Sequence, residues 1–252
     1  MTNTIVVKDL SISIKDRVLL NKCSFSFDGG DIVLLEGKNG IGKSTLLKAF
    51  LGMNDPGVEA SGEIYVGDSN NVLKMKDSEN LALRSKIAYL EQKDLFDSYY
   101  GITVRGVLED SLEAYRNAKL SASDKRYIED VFNAYVPSTA SFTLKSKVNK
   151  LSGGQQRIVS ILASLCIRKD AGIFLIDEPL NNLDINSIVL ISNMLNKIRI
   201  GRPEILMIII SHCKIFPFVN TTATIIHGEI NVSKSNIVCH SCFGECDEDG
   251  FY

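Results

Sequence analysis

Eight consecutive residues constrain this chain more than any others: Gly37, Lys38, Asn39, Gly40, Ile41, Gly42, Lys43 and Ser44. They match the pattern G-x-x-x-x-G-K-[ST] in full. The pattern stands between an apolar run, Ile32-Val33-Leu34-Leu35, and a segment that reads as a helix from near Gly42 to about Phe50. Four apolar residues in a row predict a strand buried on both faces, so the motif is a strand–turn–helix junction. Glycines let the backbone curl until successive N–H groups point inward, and the positive end of the helix dipole adds to them. Such a turn grips a phosphate chain. Lys43 is expected to reach the β- and γ-phosphates and Ser44 to hold Mg²⁺ through its hydroxyl, with Thr45 beside them. Alone, the motif specifies a nucleoside triphosphate and nothing narrower.

A second motif completes this chemistry. Ile173-Phe174-Leu175-Ile176 is another buried-strand run, and it ends in Asp177-Glu178-Pro179. A parallel strand ends at the ligand edge of its sheet, which brings Asp177 to the phosphates, there to hold Mg²⁺ directly or through water. Glu178 is then placed to polarise an attacking water.

The remaining pattern supplies the setting. Ile5–Val7, Ser11–Ile14 and Cys23–Phe27 are short strand-like runs. Residues 54–86 read as loops with an edge strand at Gly62–Val66, and Ile87–Leu90 is a further strand. From about 94 to 150 the spacing turns helical: Leu108, Leu112 and Tyr115, then Ile128, Val131 and Phe132. A helix opening at Ser152 runs to about Arg168, and another lies near Ile188–Ile198, ahead of the apolar strand Ile205–Ile210. Strands alternating with helices predict an α/β fold with a mainly parallel sheet, an N-terminal β portion and a helical insert.

Composition narrows the partners. A net charge of −2 gives no footprint for nucleic acid and no basic stripe for a membrane. The longest apolar run, Ile205–Ile210, falls far short of the roughly 20 residues that span a bilayer. With no signal-peptide pattern at the start, a cytoplasmic protein is expected. Cys23, Cys166 and Cys213 stand singly in apolar stretches and are expected to be buried thiols.

Leu151-Ser152-Gly153-Gly154-Gln155 settles the class. Physically, Ser152 and Gln155 form a capping-box pattern ahead of the apolar face Ile158, Ile161, Leu162, Leu165 and Cys166. Two glycines in the first turn leave N–H groups open to an anion. With these motifs the chain resembles the nucleotide-binding domain of the ABC family across about residues 4–232. The resemblance implies a P-loop NTPase of ABC ATPase fold, its sheet preceded by an antiparallel β portion, and Mg-dependent hydrolysis of ATP. It makes residues 1–232 the ATPase domain, with a helical subdomain at about 94–168, and 233–252 a cysteine-rich tail.

Further roles follow from the resemblance. Gln92 is similar to the glutamine that contacts Mg²⁺ and the attacking water, at the junction with the helical insert. Asn181–Asp184 resembles the D-loop, with asparagine where small residues are usual, and His212 resembles the switch histidine on the γ-phosphate. The segment Ser152–Gln155 implies a second cassette, in a homo- or heterodimer, whose copy of that segment completes the nucleotide site. The implied function is the ATP-binding subunit of an ABC transporter, peripheral on the inner face of the cell membrane and driving separate transmembrane subunits. The lack of an added regulatory domain favours export over import. A soluble ABC ATPase without a membrane partner, of the cofactor-assembly type, is the competing reading.

Two features depart from the family pattern. Where an aromatic usually stacks on adenine, the matching position holds Ile14 or Lys15. Stacking is worth on the order of 1–3 kcal/mol, so weaker ATP binding or poor ATP-versus-GTP discrimination is expected. At the tail, Cys239, His240, Cys242 and Cys246 could supply a zinc tetrahedron. Adjacency of Cys239 and His240 makes simultaneous use awkward, and a thiol-rich tail of other purpose is preferred.

Overall fold

A computed structural model describes residues 2–92, 96, 101–212 and 215–234 of the chain. Its N-terminal part is an antiparallel sheet of three strands: β1 (Ile5–Ile14), β2 (Arg17–Phe27) and β4 (Val58–Val66), in the order β2-β1-β4. The three short runs expected between residues 5 and 27 are thus two long strands joined by a tight turn. Register shifts along β1, between Val7 and Ile12, explain why its alternation is broken in the sequence.

A second sheet of six strands carries the chain's ligand edge. Its order is β5 (Ile87–Leu90), β6 (Ile173–Asp177), β7 (Leu206–Ile210), β3 (Ile32–Glu36), β8 (Thr221–Ile226) and β9 (Glu229–Lys234). All pairs are parallel except β8 with β9. Each central strand divides its side chains between two cores. Ile32 and Leu34 of β3, Phe174 and Ile176 of β6, and Met207 and Ile209 of β7 face one core. Val33, Leu35, Ile173, Leu175, Leu206, Ile208 and Ile210 face the other. A strand buried on both faces reads as an unbroken apolar run, as these do.

Helices cover both faces. On the side of the antiparallel sheet lie α1 (Lys43–Phe50) and α2 (Asp77–Arg84), whose buried Leu46, Leu47, Phe50 and Leu83 join Phe27 and Ile64. No helix was expected at α2; it is short and polar, and its start is held by Glu79, whose carboxylate accepts from the Lys76 N–H at 2.9 Å. The opposite face packs α3 (Val104–Arg116), α4 (Ala122–Tyr135), α5 (Gly153–Ile161) and α6 (Ile185–Gly201) around Leu108, Leu112, Ile128 and Phe132. Ser121 caps α4, its hydroxyl accepting from the Asp124 N–H, and the Asp124 carboxylate pairs with Arg116 on α3.

One helix differs from expectation. The helix opening at Ser152 stays α-helical only to Ile161 and continues as a π turn over Leu162–Cys166. Ile167 then donates to the Leu162 carbonyl at 3.1 Å, one residue further back than an α-helix allows. The widened turn presents the Ala163 carbonyl sideways, where Ser111 of α3 donates to it at 2.7 Å. Cys23 and Cys166 are buried as expected, and burial pushes both thiols above their ordinary value. Cys213 lies outside the described residues, as do Cys239, His240, Cys242 and Cys246 of the tail.

Phe174 is fully buried at the centre of the sheet, with the Arg202 guanidinium 5.2 Å from its ring centre. Phe174→Ala is expected to cost about 3–5 kcal/mol and to lower the thermal midpoint by on the order of 10 °C, as followed by circular dichroism. A fall of a degree or two would place this residue outside the core.

Candidate active site at the carboxyl edge of the parallel sheet

Strand register decides which residues meet. Leu90 pairs with Ile176, Asp177 with Ile210, and Ile210 with Leu35. Four neighbouring strands therefore end level, and the residues that follow them converge: Gln92 after β5, Glu178 after β6, Ser211 and His212 after β7, and Gly37 after β3. This is the edge at which open α/β sheets bind ligands.

The turn after β3 has the backbone that a phosphate cradle requires. Gly40 and Gly42 take φ of 70° and 112°, the left-handed region that side chains resist. At Gly42 an added Cβ would also press on Leu19 of β2, 3.1 Å away. Gly42 caps α1 without any side-chain hydrogen bond, so the first N–H groups of the helix are left for a ligand. Lys38, Asn39 and Gly40 are exposed, while Ile41, Ser44 and Thr45 are half-buried.

Lys43 curls back over this turn. Its ammonium donates to the carbonyls of Gly37 at 2.6 Å and Lys38 at 3.2 Å, and the residue is buried. Burial pulls the ammonium below its ordinary pKa, against the opposing pull of Glu178 and Asp177. The reverse holds at Asp177, where burial raises the carboxyl. The Ser44 hydroxyl eases that rise and Glu178 adds to it. One oxygen of Asp177, Oδ1, is buried with no hydrogen-bond partner. An orphaned carboxylate oxygen next to a serine hydroxyl, facing a phosphate turn, suits a divalent cation that takes its other ligands from phosphate and water. Among the described residues no group of three or more His, Cys, Asp or Glu could hold such an ion without the nucleotide.

Glu178 is the most constrained residue of the site. Its φ is 45°, a left-handed backbone costing on the order of 1–3 kcal/mol for a non-glycine residue. Tertiary contacts hold it there. Its N–H donates to the Ile210 carbonyl at 3.0 Å, and its own carbonyl accepts from Arg157 at 3.0 Å. The side chain is gripped at both oxygens: Gln92 Nε2 donates to Oε2 at 3.1 Å, and His212 Nε2 lies 3.3 Å from Oε1. Gln92, Glu178 and His212, from three separate strand ends, form one cluster.

Arg157, which none of the sequence motifs includes, organises this edge from behind. The guanidinium is buried and donates to the carbonyls of Glu91, Asp177, Glu178 and Pro179, at 2.8 to 3.2 Å. One side chain thereby ties α5 to the strand ends that carry Gln92 and Glu178. A signal was available: Arg157 stands four residues before Ile161, on the apolar stripe of α5, where a cation needs buried acceptors.

The segment Ser152–Gln155 forms the expected capping box. Ser152 Oγ accepts from the Gln155 N–H at 3.3 Å and Gln155 Oε1 from the Ser152 N–H at 3.0 Å. Gly153 faces open space. Gly154 does not: a Cβ there would collide with the Ser187 hydroxyl and lie 3.3 Å from Asp184 Oδ2. Close approach of α6 leaves no room for a side chain at the second glycine. Asp184 caps α6, its two oxygens accepting from the N–H and hydroxyl of Ser187 at 3.0 and 2.7 Å, which holds its carboxyl below the usual range. Among the described residues, none of the hydrogen bonds of Ser152–Gln155 reaches the phosphate turn of the same chain. At the expected base-stacking position, Ile14 packs partly into the second core, and Lys15 occupies the exposed β1–β2 turn at φ 52°.

A glycine-rich phosphate turn with a buried lysine, and a buried aspartate at the end of a strand one removed in the sheet, define the site of a P-loop nucleoside triphosphatase. More narrowly, the chain belongs to the ABC transporter family, whose model matches residues 20–181. Among its relatives is the phosphonates import ATP-binding protein PhnC of Fusobacterium nucleatum, 28% identical over 82% of this chain and 82% of the relative. The manganese transport system ATP-binding protein MntB of Halalkalibacterium halodurans is 27% identical, over 79% of this chain and 73% of the relative. The fold is that of the ATP-binding cassette MJ0796, solved as a dimer bound to ADP and Pi. The TM-score is 0.74 at 22% identity, over 91% of this chain and 98% of the other.

Because burial penalises the charged form of Asp177, the carboxylate destabilises the chain when no cation accompanies it. Asp177→Asn is therefore expected to raise the thermal midpoint of the purified chain at pH 7 without nucleotide, by about 2–4 °C for each kcal/mol relieved. Since the folded-state value is raised, wild type loses its disadvantage as pH falls through that value toward the ordinary 3.8. The two melting curves should converge there. A lower midpoint for the variant at pH 7 would contradict the assignment.

Proposed function

We propose that this chain is the ATP-hydrolysing subunit of an ABC transporter, acting as one of a pair of cassettes on separate membrane-spanning subunits. Its relatives are ATP-binding proteins of import and transport systems, which supports this reading. So does the observation that carries the chemistry: a carboxylate, Glu178, held at both oxygens by Gln92 and His212, beside the phosphate turn. Among the described residues no helix is long and apolar enough to cross a membrane.

In this mechanism ATP is held by the backbone N–H groups of Gly37 to Ser44 and Thr45, with Lys43 leaving the Gly37 and Lys38 carbonyls for the β- and γ-phosphates. Ser44 and Asp177 would hold Mg²⁺, with Gln92 adjoining; when bound, the ion neutralises charge on the triphosphate. Glu178 orients and polarises the water that attacks the γ-phosphorus. Its strained backbone and the Arg157 anchor fix where the carboxylate points, which matters because phosphoryl transfer depends chiefly on positioning. His212 turns from Glu178 to the γ-phosphate, releasing one carboxylate oxygen for the water. The tip at Ser152, Gly153 and Gln155 then serves the nucleotide of the facing copy: the capping box takes the N–H groups of Ser152 and Gln155, which leaves the exposed Gly153 N–H and the Ser152 hydroxyl for the γ-phosphate.

Two substitutions test this. Lys43→Ala is expected to abolish productive ATP binding in equilibrium titration. Glu178→Gln keeps a side chain that can still contact Gln92 and His212, so it should bind ATP, accumulate a dimer in size-exclusion chromatography and lose at least about 100-fold in turnover. Wild-type turnover by Glu178→Gln would remove Glu178 from its role. Co-purification of the tagged chain with integral membrane proteins from gently solubilised membranes supports the transporter reading, and recovery with soluble partners alone contradicts it.

A further inference from the structure

The β1–β2 turn, Ile14 to Arg17, holds no aromatic residue, and it sets a cation beside the phosphate turn instead. The β1–β2 turn brings Arg17 opposite Ile14 at the start of β2. Two residues on, Leu19 seats the strand against Gly42, so the position of Arg17 over the phosphate turn is set by buried packing. The Arg17 guanidinium comes to 3.9 Å from the point a Cβ on Gly40 would occupy. Arg17 is exposed, and among the described residues its guanidinium has no hydrogen bond or ion pair. Lys43 is committed to two carbonyls of the turn, and the exposed Lys15 and Lys38 carry point charges rather than a planar fork. An arginine free of partners among the described residues, beside a glycine turn that leads into the uncapped start of α1, matches the oxygens of a phosphate chain. A planar guanidinium can engage two of them at once.

We propose that Arg17 binds the phosphate chain of the nucleotide, so that affinity in this cassette rests on the triphosphate rather than on stacking of the base. This deepens the ATP-binding reading and rests on it. Arg17 is a specificity-determining residue in a negative sense: a site that grips phosphate and leaves the base unstacked accepts ATP and GTP with similar affinity.

The test compares three ligands, ATP, GTP and inorganic tripolyphosphate, by calorimetric titration with magnesium present. Arg17→Ala is expected to weaken all three by a similar factor, about tenfold, with an unchanged thermal midpoint because the residue is exposed. Arg17→Lys should recover part of the loss, a point charge replacing a fork. The salt dependence of ATP binding should be shallower in Arg17→Ala than in wild type. Weakening of ATP and GTP with tripolyphosphate unaffected would mean that Arg17 stacks on the base, and would overturn the proposal. Unaltered binding of all three would overturn it as well, leaving the ATP-binding reading intact. Failure of the unsubstituted chain to bind any of the three would sink that reading, and this one with it.

Discussion

Level pairing of four parallel strands is the constraint on which the site depends. Leu90 lies opposite Ile176, and Ile210 is paired on one side with Asp177 and on the other with Leu35. A slip of one residue in any of these pairs would turn a strand's side chains over between the two cores. Because both faces of β3, β6 and β7 are buried, such a slip exchanges one packed set for another of different shape, so register is tightly specified. Gln92, Glu178 and His212 need no direct selection of their mutual distances beyond this. Their positions follow from strand ends that packing has already aligned.

Against that apolar frame the charges at the edge are under tension. Lys43 and Asp177 are both buried, and burial displaces both from their ordinary titration in the direction of the neutral form. Each has a partial remedy within the chain, Lys43 in the Gly37 and Lys38 carbonyls and Asp177 in Ser44. Neither remedy is complete, since Asp177 Oδ1 has no partner. A triphosphate with a divalent ion supplies what both lack, an anion for the lysine and a cation for the aspartate. Binding energy then comes from relieving desolvation that folding had already imposed. The strained backbone of Glu178, gripped by Ile210 and Arg157, belongs to the same economy of preorganisation.

How much of this was legible in the sequence depends on range. The runs Ile32–Leu35, Ile173–Ile176 and Ile205–Ile210 announce buried strands because burial on both faces removes all polar positions. The parallel sheet, and the motif residues at its edge, could be read from them. Where a segment's conformation depends on a distant partner, the reading thinned. The π turn at Leu162–Cys166 is accommodated by Ser111, 52 positions from Ala163. The grip of Gln92 on Glu178 spans 86 positions. Arg157 is hard to read from sequence because a lone arginine on a helix is ordinarily solvated, and only the fold brings four carbonyls to it. The steric demand on Gly154 comes from Ser187 and Asp184, 30 or more positions away, and leaves no mark in the sequence around it. Strands β8 and β9 carry threonine, serine and charge toward the sheet's edge, and they left too weak an apolar signal to be named.

The central claim is that one copy supplies the phosphate turn, Glu178 and His212, while the tip at Ser152 and Gly153 acts on the nucleotide of another. Specific ATP turnover measured against concentration of the purified chain tests this most directly. The account predicts that turnover per chain rises with concentration and then levels off as pairs form. Turnover per chain that is constant down to concentrations at which sedimentation shows only monomer, with or without ATP, would contradict it.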